Sequence, residues 1–102
     1  MTLLEIVKLR LGYLKSDEKM DEMLQGLIEE GQSFLSSFCI DLNFESSTRE
    51  RSLLIEWIRY ALSNALDDFR KNYRDELLAL SNRGKVMRYA SSQESGRIIP
   101  TE

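Results

Sequence analysis

The only proline is Pro100, so ninety-nine residues precede the one side chain that both fixes φ and removes a backbone donor. The five glycines are too widely scattered to supply the turns that short strands need at close intervals. A chain so free of helix breakers is expected to be all-α. At 102 residues, with 42 % apolar and 30 % charged side chains, it has material for one globular core and no more.

Caps and periodicity predict four helices. Thr2-Leu3-Leu4-Glu5 is a capping box that opens the first, which runs to about Leu11 and stops at Gly12. The second starts at Ser16 or Asp17 and runs to about Phe38. Met20, Met23, Leu24, Leu27, Ile28, Gly31, Phe34, Leu35 and Phe38 recur along it at three and four residues. Its early acids, Asp17, Glu18, Asp21 and Glu22, suit the positive end of a helix dipole. Gly31 lies on the apolar stripe, where a missing side chain lets another backbone come close.

Cys39 to Ser46 reads as a loop, and Ser47-Thr48-Arg49-Glu50 as a second capping box. The third helix then runs to Phe69, with a wide apolar face that includes Leu54, Ile55, Trp57, Ile58, Ala61, Leu62, Ala65 and Leu66. Such width predicts a central helix packed on two sides. A short fourth helix restarts near Asn72, carries Tyr73, Leu77 and Leu80, and ends at Asn82-Arg83-Gly84.

The expected architecture is a small bundle of two long antiparallel helices packed with two shorter ones, as a domain over 1–84. An extended C-terminal tail follows over 85–102. Leu24, Leu27, Ile28, Phe34, Leu35, Trp57, Ile58, Ala61, Leu62, Leu66 and Phe69 are the expected core.

Charge is divided unevenly. Residues 1–50 hold ten acidic and five basic side chains, a balance of −5; residues 51–102 hold seven and nine, a balance of +2. The overall −3 argues against tight binding along a nucleic-acid backbone, which requires a basic face. A chain negative at one end and positive at the other suits head-to-tail pairing of copies. Asp17, Glu18, Asp21 and Glu22 are the acidic interface candidates, and Arg70, Lys71 and Arg74 the basic ones. Plain solvated surface is the competing account of each.

Little in the sequence points to catalysis. There is no histidine, so the commonest general base and metal ligand is missing. Cys39 is the single cysteine, which excludes an internal disulfide, fits a reducing compartment and reads as a buried packing residue. Asp67-Asp68 and Glu29-Glu30 are adjacent pairs, and neighbours on a helix diverge by about 100°. No catalytic, cofactor or metal residue is assigned. The apolar run Leu3–Leu14 is too short and too charged to span a bilayer, and no cleavage-site pattern follows it, so no membrane or secretory role is expected.

Two stretches together resemble a known family. One is the acid-capped helix from Ser16 to Phe38, with Met23-Leu24 and Leu27-Ile28. The other comprises Arg59-Tyr60, Asn64-Ala65-Leu66-Asp67-Asp68-Phe69, Asn72-Tyr73 and Glu76-Leu77-Leu78-Ala79-Leu80. Over roughly residues 2–82 they look like the head–tail connector (adaptor) proteins of long-tailed bacteriophages and related prophages. The resemblance implies a helical structural subunit, present in the virion and in host cytoplasm during assembly. Such subunits self-associate into a ring under the portal protein, with a downstream stopper or tail-completion protein docked below. DNA only passes through the channel. The sequence departs from many members at Cys39-Ile40-Asp41-Leu42-Asn43-Phe44, where a turn containing glycine and proline is usual.

In that family the C-terminal region helps engage the portal. This makes Lys85, Arg88, Arg97, Ile98, Ile99 and Pro100 candidate docking residues of the tail, with Pro100 biasing Ile99 towards extended backbone. An alternative from another class is a small helix-turn-helix DNA-binding regulator, with Arg70, Lys71 and Arg74 near the motif. Against it, the would-be recognition helix carries Asp75 and Glu76.

Overall fold

A computed structural model of the chain describes residues 1–46 and 48–94, with side chains described as far as Val86. Its five helices are α1 (Leu3–Leu11), α2 (Glu18–Ser36), α3 (Arg49–Leu62), α4 (Leu66–Asn72) and α5 (Arg74–Glu94), and no strand occurs among the described residues. The protein is all-α, as expected, with one helix more than the periodicity predicted.

The ends of the helices follow from local chemistry. The Thr2 hydroxyl accepts from Glu5 N–H at 3.1 Å and the Glu5 carboxylate accepts from Thr2 N–H at 2.7 Å, which closes the first capping box. Gly12, at φ 86°, ends α1: Tyr13 N–H reaches Lys8 O at 2.8 Å and Gly12 N–H reaches Leu9 O at 3.3 Å. The Asp17 carboxylate caps α2 by accepting from the Lys19 and Met20 amides.

At α3 the cap is Thr48, whose hydroxyl accepts from Arg51 N–H at 3.1 Å. The box expected from Ser47 to Glu50 therefore does not set the start. With the cap one residue later, Glu50 falls at the second helical position and reaches Arg83 of α5 at 3.5 Å instead.

The long third helix expected to reach Phe69 is broken. Asn64 takes φ 55°, Ala65 N–H bonds Tyr60 O at 2.8 Å and Asn64 N–H bonds Ala61 O at 3.0 Å. This is the same hydrogen-bonded stop as at Gly12, with asparagine tolerating the left-handed position. Asn72 ends α4 rather than capping the next helix, and its side-chain amide donates to the Tyr60 hydroxyl at 3.0 Å.

Gly84 does not end a helix. It retains helical backbone inside α5, and a Cβ there would sit 2.5 Å from Phe38 O and 3.2 Å from Cys39 Cα. The glycine permits a close crossing of α5 over the end of α2. The helix continues to Glu94, so the tail expected from residue 85 is helical over its first ten residues. Lys85 and Arg88 stand on α5, whereas Arg97, Ile98, Ile99 and Pro100 lie outside the described residues.

Helices α2 and α3 make the most extensive contact, and α3 also meets α1 and α4. The wide apolar face of α3 is thus satisfied within the fold. The end of α2 and the start of α3 both meet the Arg83–Gly84 turn of α5, so the two long helices run antiparallel. Val7, Leu24, Ile28, Leu35, Leu54, Ile55, Ile58 and Phe69 are sealed from solvent, each buried aliphatic contributing about 1.5–3 kcal/mol. Gly31 is enclosed by side chains rather than backbone: a Cβ would meet Leu54 Cδ1 at 2.6 Å and Trp57 Cε3 at 2.8 Å.

Five expected core residues, Leu27, Phe34, Ala61, Leu62 and Leu66, are only half-buried. The covering helices enclose the centre of the α2 stripe, at Leu24, Ile28, Gly31 and Leu35, and leave its flank partly open. Met23 on that flank is 44 % exposed.

Candidate docking surfaces

Part of the second stretch that carries the resemblance, Tyr60, Phe69, Asn72 and Tyr73, comes together as one joint. Phe69 is fully buried and stacks on Tyr73 at 4.8 Å between ring centroids; it meets Tyr60 edge-on at 5.6 Å and Phe34 at 6.2 Å. Phe34 extends the cluster to Trp57 and Phe38. The left-handed Asn64 aims α4 back across α3 so that Phe69 enters this cluster. The Tyr73 hydroxyl donates to the Glu56 carboxylate at 3.4 Å, and burial, then the charge of Glu56, raise the Tyr73 pKa above its ordinary value.

The four acidic candidates divide by environment. Asp17 is occupied as the α2 cap, and Asp21 lies 2.8 Å from Lys8 Nζ, joining α1 to α2. Glu18 and Glu22 are exposed and have no ion pair among the described residues. They stand one turn apart, with the exposed Met23 beside Glu22.

The basic candidates also divide. The Arg70 guanidinium lies over the Phe34 ring at 5.2 Å from its centroid. Arg70 and Arg74 together rim a cleft of about 260 Å³ floored by Phe34, Phe38, Leu77 and Leu78, with Ser81 at its edge. Lys71 faces away, towards Asn64, Asp67 and Asp68. Arg74 starts α5, where the positive end of the helix dipole disfavours a cation. None of the three is in an ion pair among the described residues.

No local pattern links the parts of the cleft floor, because Phe38 lies just past the end of α2 and Leu78 on α5. Their juxtaposition depends on the Gly84 crossing. The only local signal was the Arg70–Arg74 spacing of four.

A second depression, of about 430 Å³, separates α3 from α5, with Leu53, Ala79 and Leu80 on its floor and Arg49, Glu50, Glu76 and Arg83 around it. Its charges are largely matched internally: Glu50 with Arg83, and Arg49 with Glu76 at 3.9 Å. Arg83 also hydrogen-bonds the Cys39 sulfur, which with Glu50 raises its pKa further above the ordinary guanidinium value. Cys39 itself is 1 % exposed, a packing residue as expected.

Among the described residues no group of three or more carboxylate or thiol side chains is arranged to hold a metal ion. No described helix is long and apolar enough to cross a membrane. Comparison with protein-family models, curated protein sequences and solved structures finds no match to this chain.

Proposed function

We propose that this protein is a structural subunit of a phage head–tail connector, docking on copies of itself and on the portal rather than catalysing a reaction. The observation that carries this reading is the joint at α3–α4–α5. Four residues from the stretch that resembles connector proteins, Tyr60, Phe69, Asn72 and Tyr73, are joined by ring contacts and a hydrogen bond, and Asn64 supplies the left-handed turn between them. Their spacing thus has a single structural cause, a reversal that turns the chain from α3 into α5. This supports treating the resemblance as one of architecture and not of scattered identities.

The surface chemistry agrees with docking. Exposed acids without an ion pair among the described residues stand at one place, and exposed bases without one rim an apolar cleft at another. The reading is tested by incubating the purified protein with portal-bearing, tailless capsids and imaging the vertex by electron cryomicroscopy. Ring density beneath the portal is expected, with DNA passing through its centre. Capsids that take up none of the protein would overturn the proposal.

A further inference from the structure

We infer that the arginine-rimmed cleft is the receptor for a second copy of this chain, which inserts the Glu18–Glu22–Met23 edge of its α2. The inference rests on the connector reading only in deepening how subunits would join; its chemistry and its test need no portal.

Three observations select this occupant. The cleft has an apolar floor of Phe34, Phe38, Leu77 and Leu78 beneath two exposed guanidiniums, so it fits an apolar side chain flanked by carboxylates. Met23 is 44 % exposed, and Glu22 stands about 100° from it around α2 with Glu18 one turn before Glu22, so the apolar side chain has carboxylates on one side. Each set of charges also lacks a counter-ion within the described chain, and Arg74 stands where its own helix dipole repels it. An incoming carboxylate relieves that repulsion and forms charge-assisted hydrogen bonds with the guanidiniums.

Geometry then sets the mode of assembly. Edge and cleft lie at opposite ends of α2; Glu22 and Phe34 are separated by roughly 18 Å along the helix at 1.5 Å per residue. The donor and acceptor patches are therefore different surfaces. Repetition of such a contact gives a closed ring or an open filament, according to the rotation between neighbours.

The test uses charge exchange on the full chain, read by sedimentation velocity in low salt at concentrations up to millimolar. The wild-type protein is expected to associate, and to dissociate as salt rises. Glu18→Arg/Glu22→Arg makes edge and cleft both basic, and Arg70→Glu/Arg74→Glu makes both acidic. Each variant alone should associate on the order of tenfold more weakly, or worse, because like charges meet at every contact. An equimolar mixture should associate again, since every edge then finds a cleft of opposite sign.

All four positions are exposed, and unchanged circular dichroism and melting would confirm that each variant is folded. Met23→Ala should weaken wild-type association while Met23→Leu retains it, separating insertion from charge alone. A wild-type monomer at millimolar concentration, unchanged association in the single-sided variants, or a mixture that stays dissociated would each overturn the proposal. None of these outcomes bears on capsid uptake, so the connector reading stands or falls separately.

Discussion

Three glycines on the long helices differ in what surrounds them, and the difference sets the sign of an alanine substitution. Gly26 has nothing within 4 Å of a built Cβ and is exposed, so Gly26→Ala should stabilise by up to about 1 kcal/mol through helix propensity. At Gly31 the added methyl meets Leu54 and Trp57 side chains below 3 Å. Overpacking there costs about 1–3 kcal/mol and outweighs the propensity gain. At Gly84 the obstacle is the Phe38 carbonyl, which no rotamer change can move, so Gly84→Ala should force α5 off α2 and destabilise most. Urea melts of the three variants should rank them in that order.

Burial separates Ile58 from Leu62 in the same way. Ile58 is fully enclosed and Ile58→Ala should cost about 2–5 kcal/mol, whereas half-buried Leu62 should cost about 1–2 kcal/mol. Tyr73 adds a pH dependence. Its pKa is raised in the folded protein, so the stability it contributes is complete below the unfolded value of about 10. That contribution is lost as pH rises through the folded pKa. Tyr73→Phe should flatten the alkaline limb of a plot of melting temperature against pH; an unchanged limb would mean that Tyr73 is not its source.

At the scale of elements, the ends that local chemistry controls were legible in sequence and the ones that tertiary contact controls were not. Thr2, Gly12 and Asp17 were readable because a cap and its partner lie within three or four residues. The Ser63–Asn64 break is not legible because the apolar spacing continues through it: Ala61, Leu62, Ala65 and Leu66 would serve an unbroken helix equally well. What decides is the aromatic cluster, which recruits Phe69 from a new direction, and no window of sequence contains it. Gly84 reads as a stop for a related reason, since a glycine that ends a helix and one that admits a crossing chain are the same letter.

Of the candidate interface residues, the sequence identified the charges but not which were free. Asp17 and Asp21 are taken by the α2 cap and by Lys8, and Lys71 faces another side. The Asn64 turn itself is open to test. Because Asn64 holds φ 55°, Asn64→Ala should lose about 1–2 kcal/mol, the cost of a left-handed backbone for an ordinary residue, while Asn64→Gly should be neutral or better. Equal melting temperatures for the two variants would show that the turn relaxes without strain.

For the molecule as a whole, every residue described as buried lies at or before Gly84. The last buried apolar side chain is Leu80, and Gly84 is the last buried residue among those described. Lys85 and Val86 beyond it are exposed on a helix that continues to Glu94. Residues 95–102 follow, with Arg97, Ile98, Ile99 and Pro100 mixing one cation with a short apolar run. Such a segment is too small to bury its own surface and suits an interface completed by a partner. If it anchors the subunit to the portal, fold and attachment should separate cleanly. Truncation after Glu94 should leave the melting temperature and the sedimentation behaviour of the free protein almost unchanged, because every side chain described as buried, and both self-docking patches, remain. The same truncation should abolish uptake by portal-bearing capsids, and Ile98→Asp/Ile99→Asp in the full chain should reproduce the loss. A truncated protein that still joins those capsids at the wild-type level would place the portal contact elsewhere, on the bundle itself.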